Sequence, residues 1–221
     1  LFVLMGQFAF HAGLSGDLYD FCHKFLGRVP GGLAVATIAA CAGFAAICGS
    51  STACAATMGV VCLPEMKKYK YDDALSTGCL AAGGTLGILI PPSVGFILYG
   101  ISAEESIGAL FAAGILPGIL LSLFFIATIV IQVVRKPALG PKGDRYTIHE
   151  KLSSLKNVVP ILILFVVVIG GIFIGLFTAN EGAAIGAFGA FIFMIIRKKA
   201  NWSNIKTALF ESLKTTAMIF L

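Results

Sequence analysis

Apolar runs alternate with short polar breaks along this 221-residue chain, and the breaks divide it into elements. Residues 1–14 are apolar but fall short of the roughly 20 that a membrane-spanning helix needs, so they read as a helix cut short. Asp17, Asp20, His23, Lys24 and Arg28 then alternate at helical spacing with Leu18, Tyr19, Phe21, Phe25 and Leu26. The first segment, residues 1–30, is therefore expected to end in an amphipathic helix lying in a membrane interface. Residues 31–63 are apolar and rich in small residues, and Cys48-Gly49-Ser50-Ser51-Thr52-Ala53 splits them into two arms. Further apolar stretches over 74–101, 107–134, 158–177 and 182–196 predict spanning helices, with a polar connector over 135–157 and a tight join at Thr178-Ala179-Asn180-Glu181. After Arg197-Lys198-Lys199, residues 203–221 form an amphipathic approach through Ile205, Leu209 and Leu213 into a second run cut short, with Trp202 as an interfacial anchor.

Composition turns this pattern into a class. The chain is 58% hydrophobic and 12% charged, with a mean hydropathy of +0.95, whereas charged residues make up about a quarter of a soluble domain. An all-α polytopic membrane protein is expected, and its apolar ends predict that it is a piece of a longer one. The net charge of +5 does not point to nucleic acid, because the basic residues sit in short clusters between apolar runs. They order the spans instead. If Lys24, Arg28, Lys67, Lys68 and Lys70 are cytoplasmic, alternation puts all 16 Lys and Arg on that side and leaves the Glu104 and Glu181 connections without any. The six cysteines form no C-x-x-C pair and read as small packing residues. Lys142-Gly143-Asp144 lacks the context of a phosphate-binding loop, so no ATP site is indicated. Glu181 reads as a solvated helix start, with a gate or coupling group as the alternative, and His11, His23 and His149 have no ligand spacing.

The two arms of residues 31–63 have about 15 residues each, roughly 23 Å of helix against a hydrocarbon core of about 30 Å. That length favours a re-entrant hairpin over two short spans, with the tip Gly49-Ser50-Ser51-Thr52 near mid-membrane. There the first arm ends in carbonyls that attract a cation. The second begins with amides that attract an anion, with Ser51 or Thr52 as its N-cap. A tight helix–helix turn is the alternative. The next span has its own interruption, Gly83-Gly84-Thr85-Leu86-Gly87-Ile88-Leu89-Ile90-Pro91-Pro92-Ser93. Pro91 and Pro92 lack the amides that would bond the carbonyls of Gly87 and Ile88, and a new half-helix is expected near Pro92. Unpaired carbonyls in a bilayer are costly. Either a coordinated Na⁺ satisfies them together with Ser or Thr hydroxyls, or neighbouring side chains and water repair a proline kink.

Gly31-Gly32-Leu33-Ala34, Gly49-Ser50-Ser51-Thr52-Ala53, Leu63-Pro64-Glu65-Met66, Gly87-Ile88-Leu89-Ile90-Pro91-Pro92-Ser93 and Phe177-Thr178-Ala179-Asn180-Glu181-Gly182-Ala183-Ala184 resemble, almost end to end and in order, the large membrane subunit of tripartite ATP-independent periplasmic (TRAP) transporters. The resemblance implies a multi-pass protein of the bacterial inner membrane that takes up organic acids, such as C4-dicarboxylates or sialic acid, on a Na⁺ gradient. It further implies an elevator fold of two inverted repeats, a small membrane subunit as partner, and a periplasmic binding protein that delivers the substrate. Carried onto matching positions, it places a Na⁺ site at Ser50 and Ser51 with backbone oxygens around Gly87, Ile90 and Pro92, beside the Ile88 carbonyl selected above. Substrate carboxylate is expected near Thr52 and the Pro92-Ser93 helix start. Where the family usually has Thr-Pro-Thr-Glu or Thr-Ala-Thr-Glu, this chain has Thr178-Ala179-Asn180-Glu181. The second hairpin and second broken helix are expected beyond Leu221.

Other classes fit less well. A carboxylate transporter working without a binding protein shares most of these features. A channel filter lacks a charged ring or repeated carbonyl motif. An intramembrane serine protease would need a base near Ser50 or Ser51, and no histidine lies at comparable depth in an expected span. No enzymatic role is expected.

Overall fold

The computed structural model describes residues 1–141, 143 and 146–220, with Ile219 and Phe220 described by their backbone alone. Lys142, Asp144, Arg145 and Leu221, which belong to the polar connector and the final run, lie outside the described residues. Helices α1 (Phe2–His11), α2 (Leu14–Leu26), α3 (Gly32–Cys48), α4 (Ser51–Lys68), α5 (Asp73–Leu89), α6 (Val94–Ser102) and α7 (Ile107–Arg135) succeed one another. A 3-10 turn over Pro137–Leu139 precedes α8 (Ile148–Phe165), which continues through a π-helical turn, Val166–Gly170, into the short α9 (Gly171–Ile174). Helices α10 (Ala179–Ile196) and α11 (Trp202–Phe220) complete the chain, and the described residues contain no strand. By length and composition, four described helical segments can cross a membrane: 73–102, 107–135, 148–174 and 179–196.

The centre of the molecule is α3. It packs against α1, α2, α4, α5 and α7, and Leu33, Ala34, Ile38, Phe44 and Ile47 are wholly buried. A helix apolar all round and made largely of Ala, Gly, Cys and Thr suits such a position, since small side chains let several neighbours approach closely. With 17 residues in α3 and 18 in α4, each arm is about 26 Å long, still short of a 30 Å core. The second arm does not stop at Pro64 as the sequence suggests: α4 continues to Lys68 with Pro64 inside it. All six cysteines are free and buried, and Cys54 Sγ donates to the Cys41 carbonyl at 3.6 Å, between the arms.

Two other features differ from the sequence reading. The span expected to open at Val158 is helical from Ile148, ten residues into the polar connector, because Thr147 and Glu150 form a capping box: Thr147 Oγ1 accepts from the Glu150 amide, and Glu150 accepts from the Thr147 amide at 2.7 Å. In α2 the buried face is Leu14, Leu18, Tyr19, Cys22 and His23, so His23 lies inward and not on a polar face. Its ring meets Tyr69 and Tyr146 edge-on, 5.7 and 5.5 Å between centroids. Long-range polar contacts tie the ends together. Tyr71 Oη donates to the Pro141 carbonyl at 2.8 Å and accepts from the Leu33 amide at 3.1 Å, holding the α4–α5 turn at the start of α3. Burial pushes the Tyr71 hydroxyl up from its ordinary value, so it stays a donor at neutral pH. Arg197, after α10, pairs with Asp17 of α2 and donates to the Asn157 carbonyl of α8 at 3.3 Å.

Candidate functional site

Gly49 ends α3 in the left-handed conformation, φ 68°, where a glycine carries no Cβ penalty. The chain re-enters a helix at once. Ser50 is extended, and its Oγ accepts from the Ala53 amide at 3.4 Å, so Ser50 is the N-cap of α4 in place of the expected Ser51 or Thr52. Ser50 Oγ also lies 3.1 Å from Thr52 Oγ1, pairing two hydroxyls at the tip.

The break in the next span falls where the prolines place it. Helix α5 ends at Leu89, Ile90 is extended, and α6 starts at Val94 with Ser93 as its N-cap, two residues after Pro92. The Pro91–Pro92 bond is cis. Ser93 Oγ donates to the Ile88 carbonyl at 2.6 Å and accepts from the Phe96 amide at 3.5 Å. One of the two carbonyls expected to be orphaned is thus satisfied by the chain itself. The other, Gly87, faces an i+4 position held by Pro91, which has no N–H to offer.

The tip and the break are in direct contact. The Val94 amide donates to the Gly49 carbonyl at 3.0 Å, main chain to main chain. A Cβ on Gly87 would lie 2.6 Å from the Ser50 carbonyl oxygen, and one on Gly49 would lie 3.0 Å from the Pro92 oxygen. Gly83 and Gly84 similarly allow α5 to press against Cys41 of α3 and Ala55 of α4. Three helix ends therefore converge: the carbonyl end of α3 and the amide ends of α4 and α6.

A cavity of about 290 Å³ opens beside this junction, and Ser50, Ser51, Thr52 and Ile88 line it with Val94 and Met218. Gly87, Ile90, Pro92 and Ser93, also expected at the site, do not line it: Ser93 is wholly buried and Ile90 is pressed against Gly118 of α7. None of the lining residues is charged. Neutral hydroxyl and carbonyl oxygens are donors for a hard cation, and a site without carboxylates suits a monovalent one. The oxygens present are chemically compatible with Na⁺.

Thr178 and Glu181 form a second capping box at the start of α10. Glu181 accepts from the Thr178 amide at 2.8 Å and from Thr178 Oγ1 at 2.9 Å. The Glu181 carboxylate is thereby occupied as a helix start, in line with its sequence reading. Reasoning from sequence missed the Ser50 cap and the Gly49–Val94 bond. The first was signalled by Gly49 itself, a C-terminal glycine that leaves Ser50 as the next available cap; the second had no sequence signal.

The whole chain, residues 1–221, matches the family described as "Tripartite ATP-independent periplasmic transporter, DctM component". The C4-dicarboxylate TRAP transporter large permease protein DctM of Pseudomonas aeruginosa is 38% identical over 219 residues, covering 99% of this chain and 51% of that protein. An isethionate TRAP transporter permease protein, DctMQ of Oleidesulfovibrio alaskensis, is 35% identical over all of this chain and 35% of its own length. The sialic acid TRAP transporter large permease protein SiaM of Vibrio cholerae is 33% identical, again over all of this chain and 51% of its own length. The chain thus spans between about a third and about half of these relatives. With its motifs in order and the match unbroken from end to end, the chain belongs to the DctM family of tripartite ATP-independent periplasmic transporters.

Proposed function

We propose that this chain is the ion- and substrate-handling half-site of a Na⁺-coupled organic acid importer. The convergence of three helix ends beside one uncharged cavity, where Ser50, Ser51 and Thr52 stand in an otherwise apolar lining, carries the reading. The carbonyl end of α3 favours a cation and the amide ends of α4 and α6 favour an anion. Broken helices whose ends face each other across a cavity are the arrangement by which secondary transporters hold an anion and its coupling ion side by side. Na⁺ is held by Ser50, Ser51 and backbone oxygens around Gly87, Ile88, Ile90 and Pro92, with the substrate carboxylate toward Thr52 and the Ser93 helix start. Because the Gly49–Val94 bond fastens tip to break, α3, α4, α5 and α6 travel as one unit in an elevator movement. The remainder of the permease completes the cavity, a small membrane subunit braces it, and a periplasmic binding protein supplies the acid.

The test uses the full-length permease with its small subunit and binding protein in proteoliposomes. Ser50→Ala combined with Ser51→Ala removes two hydroxyl ligands and raises the Na⁺ concentration for half-maximal uptake about tenfold, the equivalent of one lost charge-assisted contact. Assembly with the small subunit survives. Unchanged Na⁺ dependence would sink the site.

A further inference from the structure

A cavity of about 370 Å³ lies between α5 and α7, apart from the hairpin tip, and the transport reading makes no use of it. Its size falls in the range of small-ligand sites, about 300–1,000 Å³. Gly78 and Ala82 of α5 face Phe125 and Ile129 of α7 across it, and Ile38 of α3, wholly buried, forms the floor. The residues on each helix are four apart, which puts each pair on one face. Gly78 borders open space: a Cβ there would meet nothing within 4 Å, so a methyl fits and only a larger side chain reaches across the slot.

One end of the slot is polar. Thr128 and Gln132 of α7 and Asp72, the N-cap of α5, line it there. Arg135 lies three residues beyond Gln132 and so shares its face of α7, with Lys136 next in sequence. The Asp72 amide donates to the Leu139 carbonyl at 3.0 Å, which holds the start of α5 beside the end of α7. Arg135 and Lys136 are exposed, and neither is in an ion pair among the described residues. Asp72 thus lines the slot beside the end of α7, where Arg135, one turn past the lining residue Gln132, and Lys136 follow in sequence, and both helices belong to membrane-capable segments.

We propose that this groove seats a phospholipid whose headgroup carries both a phosphate and a primary ammonium. One acyl chain lies along Gly78 and Ala82, the phosphate meets Arg135 and Lys136, and the ammonium donates to Asp72. The mixed charge selects the headgroup. A purely anionic lipid brings the same phosphate but no cation for Asp72, and a quaternary ammonium has no N–H with which to bond a carboxylate.

Native mass spectrometry of the full-length permease, purified in detergent and offered dioleoyl phosphatidylethanolamine, phosphatidylglycerol or phosphatidylcholine, tests this. Phosphatidylethanolamine is retained about tenfold over the other two, the ratio expected of one charge-assisted contact. Gly78→Leu fills the slot and loses that retention, while Gly78→Ala keeps it and shows that substitution at this position is tolerated. Asp72→Asn preserves a capping oxygen and reduces phosphatidylethanolamine to the level of phosphatidylcholine. No retained lipid, equal retention of the three, or retention unchanged in Gly78→Leu overturns the proposal; the first is also the outcome if a helix from the rest of the permease fills the groove.

Discussion

Gly87 has no room for a methyl group, and the reason lies on another helix. Its Cβ would sit 2.6 Å from the Ser50 carbonyl oxygen, which the Cys54 amide (3.0 Å) and Cys48 Sγ (3.6 Å) already hold in place. Gly87→Ala must therefore push the tip from the break, at about 1–3 kcal/mol as for other overpacked sites. A lowered melting temperature together with loss of Na⁺-dependent uptake in the full-length permease is expected; wild-type uptake would show that the tip need not touch α5. Ser93 acts differently, through a bond within its own helix break. Ser93→Ala frees the Ile88 carbonyl and removes the α6 cap, costing about 1–2 kcal/mol, and Ser93→Thr restores most of it in a thermal melt. The break itself was legible, since Pro91 and Pro92 announce missing amides. Its repair by Ser93 was less so, because a hydroxyl five residues along reaches the Ile88 carbonyl only once the chain has bent.

At the level of the helices, caps explain both the starts that sequence located well and those it misplaced. The start of α10 was located within a few residues, since Glu181 reads as a helix start, although the span was bounded at residue 182 and the Thr178 cap moves it to Ala179; the equivalent Thr147–Glu150 box was hidden in a stretch whose polarity suggested a connector. A capping box forms whatever the polarity of the turns after it, so the polar first turns of α8 form as readily as the apolar ones of α10. Glu181 supplies a test that separates a cap from a coupling group. Glu181→Gln retains the capping geometry, since Gln serves at this position, and leaves uptake near wild type. Glu181→Ala loses about 1 kcal/mol of stability with no change in Na⁺ dependence. A large loss of uptake in Glu181→Gln would assign the carboxylate a direct role.

The molecule as a whole is a multi-pass inner-membrane protein of a transporter family, and its charge asymmetry makes a prediction about sidedness. All 16 Lys and Arg fall on one side when spans alternate, with Glu104, Glu105 and Glu181 on the other. A membrane-impermeant maleimide should label Glu105→Cys in intact spheroplasts, and Lys67→Cys or Lys206→Cys only after permeabilisation. Labelling of all three from outside would refute the arrangement. Spans and clusters were legible because hydropathy and charge are summed along the chain. Contacts such as Asp17–Arg197, 180 positions apart, were not, because each partner reads locally as an ordinary surface charge.

The bond between the Val94 amide and the Gly49 carbonyl joins main chain to main chain, and no side-chain replacement at either residue deletes its atoms, proline at 94 excepted. Sequence drift can therefore reshape the hydroxyls and apolar groups around the cavity while the joint persists. The cavity wall is thus free to vary one side chain at a time, whereas Gly49 and Gly87, whose Cβ atoms would meet main-chain oxygens opposite, are the two positions that redesign should leave untouched.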